Sequence, residues 1–153
     1  MTKDARFEDA SERPLRLKAE DASDLRVISA LVQDSVLPAS EMKWQRKIRR
    51  FSMLLNRFRW EDAARRSERA RSLLVIDDAL RVERQGIDPS DPDLVLSILE
   101  IGFDPGPDGG GRLHLTFAGD GAIGIDVESL NIRLQDVTRP YLAPSAKTPS
   151  HPV

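Results

Sequence analysis

The spacing of apolar residues changes once along this chain, and that change limits the folds it can adopt. Four early apolar residues follow helical spacing: Leu25, Ile28, Leu31 and Val32. Such spacing predicts one helix with a single apolar stripe. Beyond about residue 34 the period becomes two, as in Met42 and Trp44, and this period predicts strands with one buried face. The sequence therefore predicts an α+β domain composed mainly of strands.

Asp21 marks the start of this helix. Its carboxylate can accept a hydrogen bond from the backbone N–H of Asp24, and both acids suit the positive end of the helix dipole. A short strand over residues 15–19 precedes it, and the helix should end near Asp34, before Pro38. The prediction is one strand, then one helix, then strands alone.

Strand patterns separated by short turns fill the rest of the chain and predict seven or eight strands in all. Short connections between consecutive strands favour antiparallel pairing. Strands over 67–76 and 80–85 meet at Asp77-Asp78, and the most apolar strand, 94–103, is predicted to be central. A strongly bent sheet or half-open barrel, with the helix over one mouth or face, would bury these patterns.

Turn chemistry and alternation also predict local features. Gly119-Asp120-Gly121 should supply the positive-φ positions of a tight hairpin, with Gly121 among them. Leu54 interrupts the alternation of its strand, which should be covered on both faces or bulged. Residues 128–137 fit a strand or a helix, and a strand with a bulge near Ser129 is favoured.

The polar ends of the chain define its predicted domain organisation. Residues 1–13 are mixed in charge, and residues 140–153 hold four of the ten prolines, which cannot donate to a sheet ladder. The prediction is a polar N-terminal tail over 1–13, a single α+β domain over 14–139 and a proline-rich C-terminal tail over 140–153.

The composition bounds the compartment and the kinds of site. The chain has no cysteine, which excludes disulfides, thiolate zinc sites and cysteine nucleophiles and fits a reducing compartment. The N-terminus lacks the apolar stretch of a secretory signal, and the longest apolar runs are far shorter than the ~20 residues that cross a bilayer. A cytoplasmic protein that does not enter a membrane is predicted.

Residue patterns for catalysis or metal binding are weak. The histidines are His114, on the polar face of a predicted strand, and His151, in the tail, and no Gly-x-Ser-x-Gly elbow is present. The aspartates of 88–93 lack the spacing of a calcium loop, and a strand follows the glycines of 106–111 where a phosphate loop requires a helix. No catalytic, cofactor-binding or metal-binding residue is predicted, and a non-enzymatic protein is favoured.

The distribution of charge is the strongest functional signal. Residues 43–71 hold eleven basic and three acidic residues, a net charge of +8, whereas the rest of the chain carries −10. Residues two apart on a strand share a face, so Arg57 should align with Arg59, and Arg69 with Arg71. Paired strands would gather these arginines into one patch with a strong local field.

Six residues form the candidate partner-binding set: Arg57, Arg59, Trp60, Arg66, Arg69 and Arg71. The leading hypothesis is a non-enzymatic interaction module whose basic strand face binds an acidic protein surface or a second copy of the chain. The alternatives are a nucleic-acid-binding accessory protein and, third, a small enzyme acting on an anionic substrate. A structural interpretation stays open beside them, in which acidic residues neutralise these arginines within the fold or their stems cover apolar surface.

Three segments of the chain resemble an uncharacterised bacterial family. They are Leu54 to Glu61, then Gly86-Ile87-Asp88 with Val95-Leu96-Ser97, and Leu115 to Ile123. Together they are similar to domain of unknown function family 2948, seen mostly in alphaproteobacteria, over about residues 15–144. The resemblance implies a bacterial cytosolic protein, and it implies no activity, ligand or catalytic residue.

Overall fold

The computed structural model describes residues 14–62, 64 and 68–137, together with the backbone of residues 141–142. Within these residues the chain forms one α-helix and eleven strands. The helix α1 spans Ala22–Val32, and the strands are β1 (Arg16–Ala19), β2 (Val36–Pro38), β3 (Met42–Gln45), β4 (Arg50–Phe58), β5 (Glu68–Ile76), β6 (Ala79–Gln85), β7 (Val95–Pro105), β8 (Gly111–Phe117), β9 (Ala122–Val127), β10 (Ile132–Asp136) and β11 (Tyr141–Leu142).

Helix α1 begins where the sequence predicts. The Asp21 carboxylate accepts a hydrogen bond from the backbone N–H of Asp24 at 2.8 Å, which satisfies one of the amides that a first turn leaves unpaired. All four residues of the predicted stripe are buried: Leu25, Ile28, Leu31 and Val32. No helix in the described part of the chain is long and apolar enough to cross a bilayer.

The strands form one antiparallel sheet in the order β1-β10-β5-β4-β2-β7-β8-β9-β6, with β3 on β4 and β11 on β5. This sheet is strongly bent and, within the described residues, not closed, which confirms the predicted fold class. Eleven strands exceed the seven or eight predicted. Strands β2 and β11 have three and two residues, too few to show an alternating pattern.

Strand β7 pairs with strands from both parts of the sheet. Its residues 95–97 pair with β2, and residues 98–105 pair with β8, with a register shift between Ile98 and Glu100. It therefore joins two halves of the sheet. The first half-sheet consists of β1, β10, β5, β11, β4, β3 and β2, and the second consists of β7, β8, β9 and β6.

The chain also crosses between the half-sheets at a corner formed by Asp77 and Asp78. Strands β5 and β6 are consecutive but pair with other strands, β5 with β4 and β10, and β6 with β9. The expectation that short connections pair consecutive strands does not hold here. Asp78 has a left-handed backbone, with φ of 58°, and its carboxylate accepts a hydrogen bond from Ser129 Oγ at 2.8 Å. The turn thus directs the chain into the other half-sheet.

The hydrophobic core lies between the two half-sheets and α1. Both half-sheets contribute fully buried side chains, such as Met53 and Leu74 from the first and Leu113 from the second. Helix α1 packs against β7, where Ser29 Oγ accepts a hydrogen bond from the backbone N–H of Ile101 at 2.9 Å. The side of each half-sheet that faces away from this core is called its outer face below.

Strand β10 resolves the ambiguity of residues 128–137 in favour of a strand. Ser129 lies in a bend before that strand and not in a bulge within it. Further along, the backbone of Tyr141–Leu142 pairs with β5. The predicted domain limits at residues 14 and 139 stay predictions.

Leu54 and Gly121 show where local sequence patterns mislead. Strands β4 and β5 pair without a register shift, so Leu54 marks no bulge. Leu54 lies on the outer face, directly opposite Leu73 of β5. In the β8–β9 hairpin the positive φ, 85°, belongs to Gly119, so the prediction of positive φ at Gly121 is wrong. Gly121 has another constraint, because a Cβ built there would lie 3.1 Å from the Ile87 side chain.

Candidate functional site

The predicted arginines divide between the two faces of the first half-sheet. Arg57 lies opposite Ala70 in the register of β4 and β5, and Ala70 is fully buried on the core side. Arg69 lies opposite Phe58, one position along, and therefore on the other side. Arg57 and Arg59 point inward, whereas Arg69 and Arg71 belong to the outer face. The structure does not bring the four arginines together on one surface.

Arg57 is fully buried and saturated with hydrogen bonds. Its Nη1 and Nη2 atoms donate to the Glu61 carboxylate at 2.8 and 2.9 Å, and its Nε and Nη2 atoms donate to Asp136 at 3.0 Å each. Ser72 Oγ and the Phe58 carbonyl accept further bonds at 3.0 and 3.1 Å. Burial alone would lower the pKa of Arg57, but the bonds to Glu61 and Asp136 outweigh it and raise that pKa above its ordinary value.

Asp136 completes this buried cluster from β10. Its carboxylate also accepts hydrogen bonds from Ser72 Oγ at 2.5 Å and from the backbone N–H of Leu15 at 2.8 Å. The cluster of Arg57, Glu61, Ser72 and Asp136 thereby links β4, β5 and β10 to the residue before β1. Every member of this cluster is hydrogen-bonded to another group inside the protein. The cluster is therefore a structural network that stabilises the fold.

The other predicted site residues have separate surroundings. Arg59 is 2% exposed and donates to Glu68 at 2.7 Å, while Trp60 Nε1 donates to the Gln33 carbonyl at 2.8 Å. The guanidinium of Arg69 stacks over the Phe58 ring, 4.2 Å from its centroid. Arg71 is exposed on the outer face, and Arg66 lies outside the described residues.

Strand register places other basic residues on the outer face of the first half-sheet. Residues that lie opposite one another in successive strands form a row across the sheet. One row crosses five strands and consists of Lys18, Arg133, Val75, Ser52 and Lys43. The next row on this face crosses four strands and consists of Arg16, Gln135, Leu73 and Leu54. With strands about 4.8 Å apart, Lys18 and Lys43 stand about 19 Å from each other along the sheet.

This outer face combines seven basic residues with three aliphatic ones at its centre. The basic residues are Arg16, Lys18, Lys43, Arg50, Arg69, Arg71 and Arg133, and the aliphatic ones are Leu54, Leu73 and Val75. The sequence set omitted Lys43 and Arg50, although both lie in the basic segment 43–71. It also omitted Arg16, Lys18 and Arg133, which are remote in sequence, because only the pairing of β1 with β10 and of β10 with β5 brings them here. The alternation of Arg16 and Lys18 with Leu15 and Leu17 was the available signal.

A depression of about 290 Å³ lies on this outer face beside β3. Leu54 and Leu73 line it, together with Ser52, Lys43 and Glu41. All five residues belong to β3, β4, β5 or the short turn Ala39–Glu41 before β3. The depression is therefore built on regular strands of the sheet.

A second depression, of about 270 Å³, lies on the outer face of the second half-sheet. Arg112 crosses it, donating to Asp126 at 2.7 Å and lying 3.0 Å from Glu83, and the bond to Asp126 raises the pKa of Arg112. His114 Nε2 lies 2.7 Å from Asp104. Arg112 and His114 are thus paired with neighbouring carboxylates, and the described residues contain no cluster of His, Asp and Glu that could hold a metal ion.

These features define an α+β domain with one open, bent antiparallel sheet and a basic and aliphatic outer face. The chain belongs to the family described as protein of unknown function DUF2948, whose model matches residues 15–151. This membership confirms the resemblance noted from the sequence. No curated protein and no solved structure gave a significant match to the chain.

Proposed function

We propose that this protein is a cytoplasmic, non-enzymatic interaction module whose outer face on the first half-sheet binds an acidic segment of another protein. The observation that carries the proposal is the strand register, which gathers Arg16, Lys18, Lys43 and Arg133 around aliphatic residues on one surface. Arginine and lysine stems cover apolar area while their charges meet carboxylates, so such a face suits a partner with both properties.

Pairing within the protein leaves part of this charge available. Arg133 lies 3.0 Å from Asp77, and Lys18 lies 3.6 Å from Glu20. In the part of the chain that the structure describes, no carboxylate lies within 4.0 Å of Arg16 or Lys43. An exposed cation without a carboxylate partner can pair with an acidic segment directly. A cation that is already paired must first give up that ion pair, which reduces the free energy gained on binding.

A second copy of the chain fits this outer face less well than an acidic segment of another protein does. A two-fold dimer through this outer face would oppose its basic residues to the same basic residues, and like charges in contact are unfavourable. Among the described residues β6 pairs with β9 alone, and its other edge carries Arg81, Glu83 and Arg84 and a register shift between Ala79 and Arg81, features that protect an edge against strand addition. The partner is therefore a different, acidic protein.

Nucleic acid is the alternative that the same charges would permit. Binding of single strands uses exposed aromatic rings on which bases stack. Trp44 and Trp60 pack against the core, and Phe58 is 3% exposed beneath Arg69. The whole chain has a net charge of −2, whereas nucleic-acid-binding domains are usually basic overall. The acidic protein segment is the better fit.

The direct test is fluorescence anisotropy with a labelled polyglutamate peptide and a labelled single-stranded oligonucleotide, each over a series of salt concentrations. The wild type should bind the peptide with an affinity that falls as salt rises. The double variant Arg16→Glu/Lys43→Glu should lose most of that affinity. The matched control is Arg81→Glu/Arg84→Glu, which makes the same change of charge on exposed residues of the second half-sheet and should bind like the wild type.

Two results would overturn the proposal. Equal losses in both double variants would mean that net charge, and not this outer face, governs binding. Binding of the oligonucleotide with no binding of the peptide would assign the face to nucleic acid.

A further inference from the structure

The depression beside β3 adds a chemical requirement to the proposed partner. Leu54 and Leu73 are partly exposed at its lining although they are aliphatic, and Ser52 adds one hydroxyl. Its volume, about 290 Å³, lies just below the ~300–1,000 Å³ of sites for drug-sized molecules and cofactors. A depression of this size suits a single large side chain of a bound segment.

We propose that this depression receives one apolar side chain of the acidic segment, so that the partner carries a leucine-like residue flanked by Asp or Glu. This inference rests on the proposed function. Lys43 also lines the depression and has no carboxylate within 4.0 Å among the described residues. A carboxylate next to the apolar residue would meet Lys43 while the side chain contacts Leu54 and Leu73.

The charges around the depression also give the segment a direction. Glu41 lines the end that belongs to the turn before β3, and its carboxylate would repel an acid there. On the opposite side, the row of Leu54 and Leu73 continues through Gln135 to Arg16, two strands beyond Leu73 and so about 10 Å away. The acidic residues of the segment should therefore extend from the apolar residue across β10 toward β1.

The experiment compares two labelled peptides of glutamates that differ only at one central residue, leucine in one and alanine in the other. Anisotropy should give the leucine peptide about tenfold higher affinity for the wild type, as expected for burying one aliphatic side chain. Leu54→Asn and Leu73→Asn should each remove that advantage and keep the affinity for the alanine peptide. Leu80→Asn, which alters a half-exposed leucine of β6, is the matched control and should keep both affinities.

The outcomes separate this inference from the proposed function. If both peptides bind the wild type equally and Arg16→Glu/Lys43→Glu weakens both, the outer face binds acids and the depression holds no side chain. If neither peptide binds, the proposed function fails and this inference fails with it. Circular dichroism establishes that each variant is folded, and the two leucine variants provide independent readings should one unfold.

Discussion

Arg57 and Asp136, 79 positions apart in sequence, form a buried ion pair in which Nε and Nη2 each lie 3.0 Å from a carboxylate oxygen. Both side chains are almost completely removed from solvent, at 0% and 1% exposure. The pair brings β10 to β4 across β5, and Glu61 binds the same guanidinium from the turn after β4. The sequence pattern that suggested a binding arginine thus contains a residue committed to the fold.

Replacing Arg57 with lysine should destabilise the protein by about 2 kcal/mol or more, because an ammonium group keeps the charge but cannot bind both carboxylates in bidentate geometry and leaves buried carboxylate oxygens without a donor. Urea denaturation measures the free energy of unfolding. The control, Arg71→Lys, alters an exposed residue and should change it by less than about 0.5 kcal/mol. Equal midpoints for the two variants would contradict a structural role for the buried pair.

Gly86→Ala should destabilise the protein by more than about 1 kcal/mol, whereas Gly102→Ala should be neutral or slightly stabilising. Gly86 has φ of 69°, and a Cβ there would lie 2.7 Å from the Asp120 carbonyl oxygen. A Cβ at Gly102 would meet only Glu100 Oε1, at 3.9 Å. Thermal unfolding of both variants provides the comparison. A larger loss at Gly102 would show that strand packing there is tighter than described.

Asp78→Ala should destabilise the corner between the half-sheets by about 1–2 kcal/mol, and Asp78→Gly should cost less. Alanine removes the acceptor of the Ser129 hydroxyl and also strains a backbone with φ of 58°, whereas glycine removes the acceptor alone. Chemical denaturation distinguishes the two. If the variants are equally stable, the left-handed backbone contributes nothing at this corner.

Ser90→Ala should raise the pKa of Asp88 toward its ordinary value. Hydrogen bonds from the Ser90 hydroxyl, at 2.6 Å, and then from its backbone N–H, at 2.9 Å, lower that pKa. Because the folded pKa lies below the unfolded one, these bonds stabilise the fold above the unfolded pKa, and the contribution disappears as the pH falls through the folded value. A carboxyl-carbon NMR titration measures the shift, with Ser23→Ala as control. An unchanged Asp88 titration would contradict the hydroxyl's role.

Local periodicity predicted most of the elements, because helix and strand spacing depend on neighbours along the chain. The stripe of α1 and the alternation in β4, β8 and β9 are examples. Strand β2 was missed because three residues cannot display a period, and the path from β5 to β6 was missed because an Asp-Asp dipeptide serves a hairpin and a corner equally well.

The candidate site was predicted only in part, since a face depends on register as well as on alternation. Arg69 and Arg71 share the outer face as expected, and Arg57 and Arg59 share the inner one. Nothing along β4 indicates that Glu61 and Asp136 will enclose Arg57. Likewise, Arg16 and Lys18 join Lys43 on one surface only through β10.

The pairing of β1 with β10 has a consequence for synthesis on the ribosome. In the described part of the chain β10 is the sole strand that pairs with β1, and the bond from Leu15 N–H to Asp136 spans 121 positions. At about 5–20 residues per second, the first strand emerges on the order of 10 s before its neighbour exists. The alternating Arg16 and Lys18 keep β1 charged until β10 has been synthesised. This charge protects the unpaired strand of the nascent chain from aggregation.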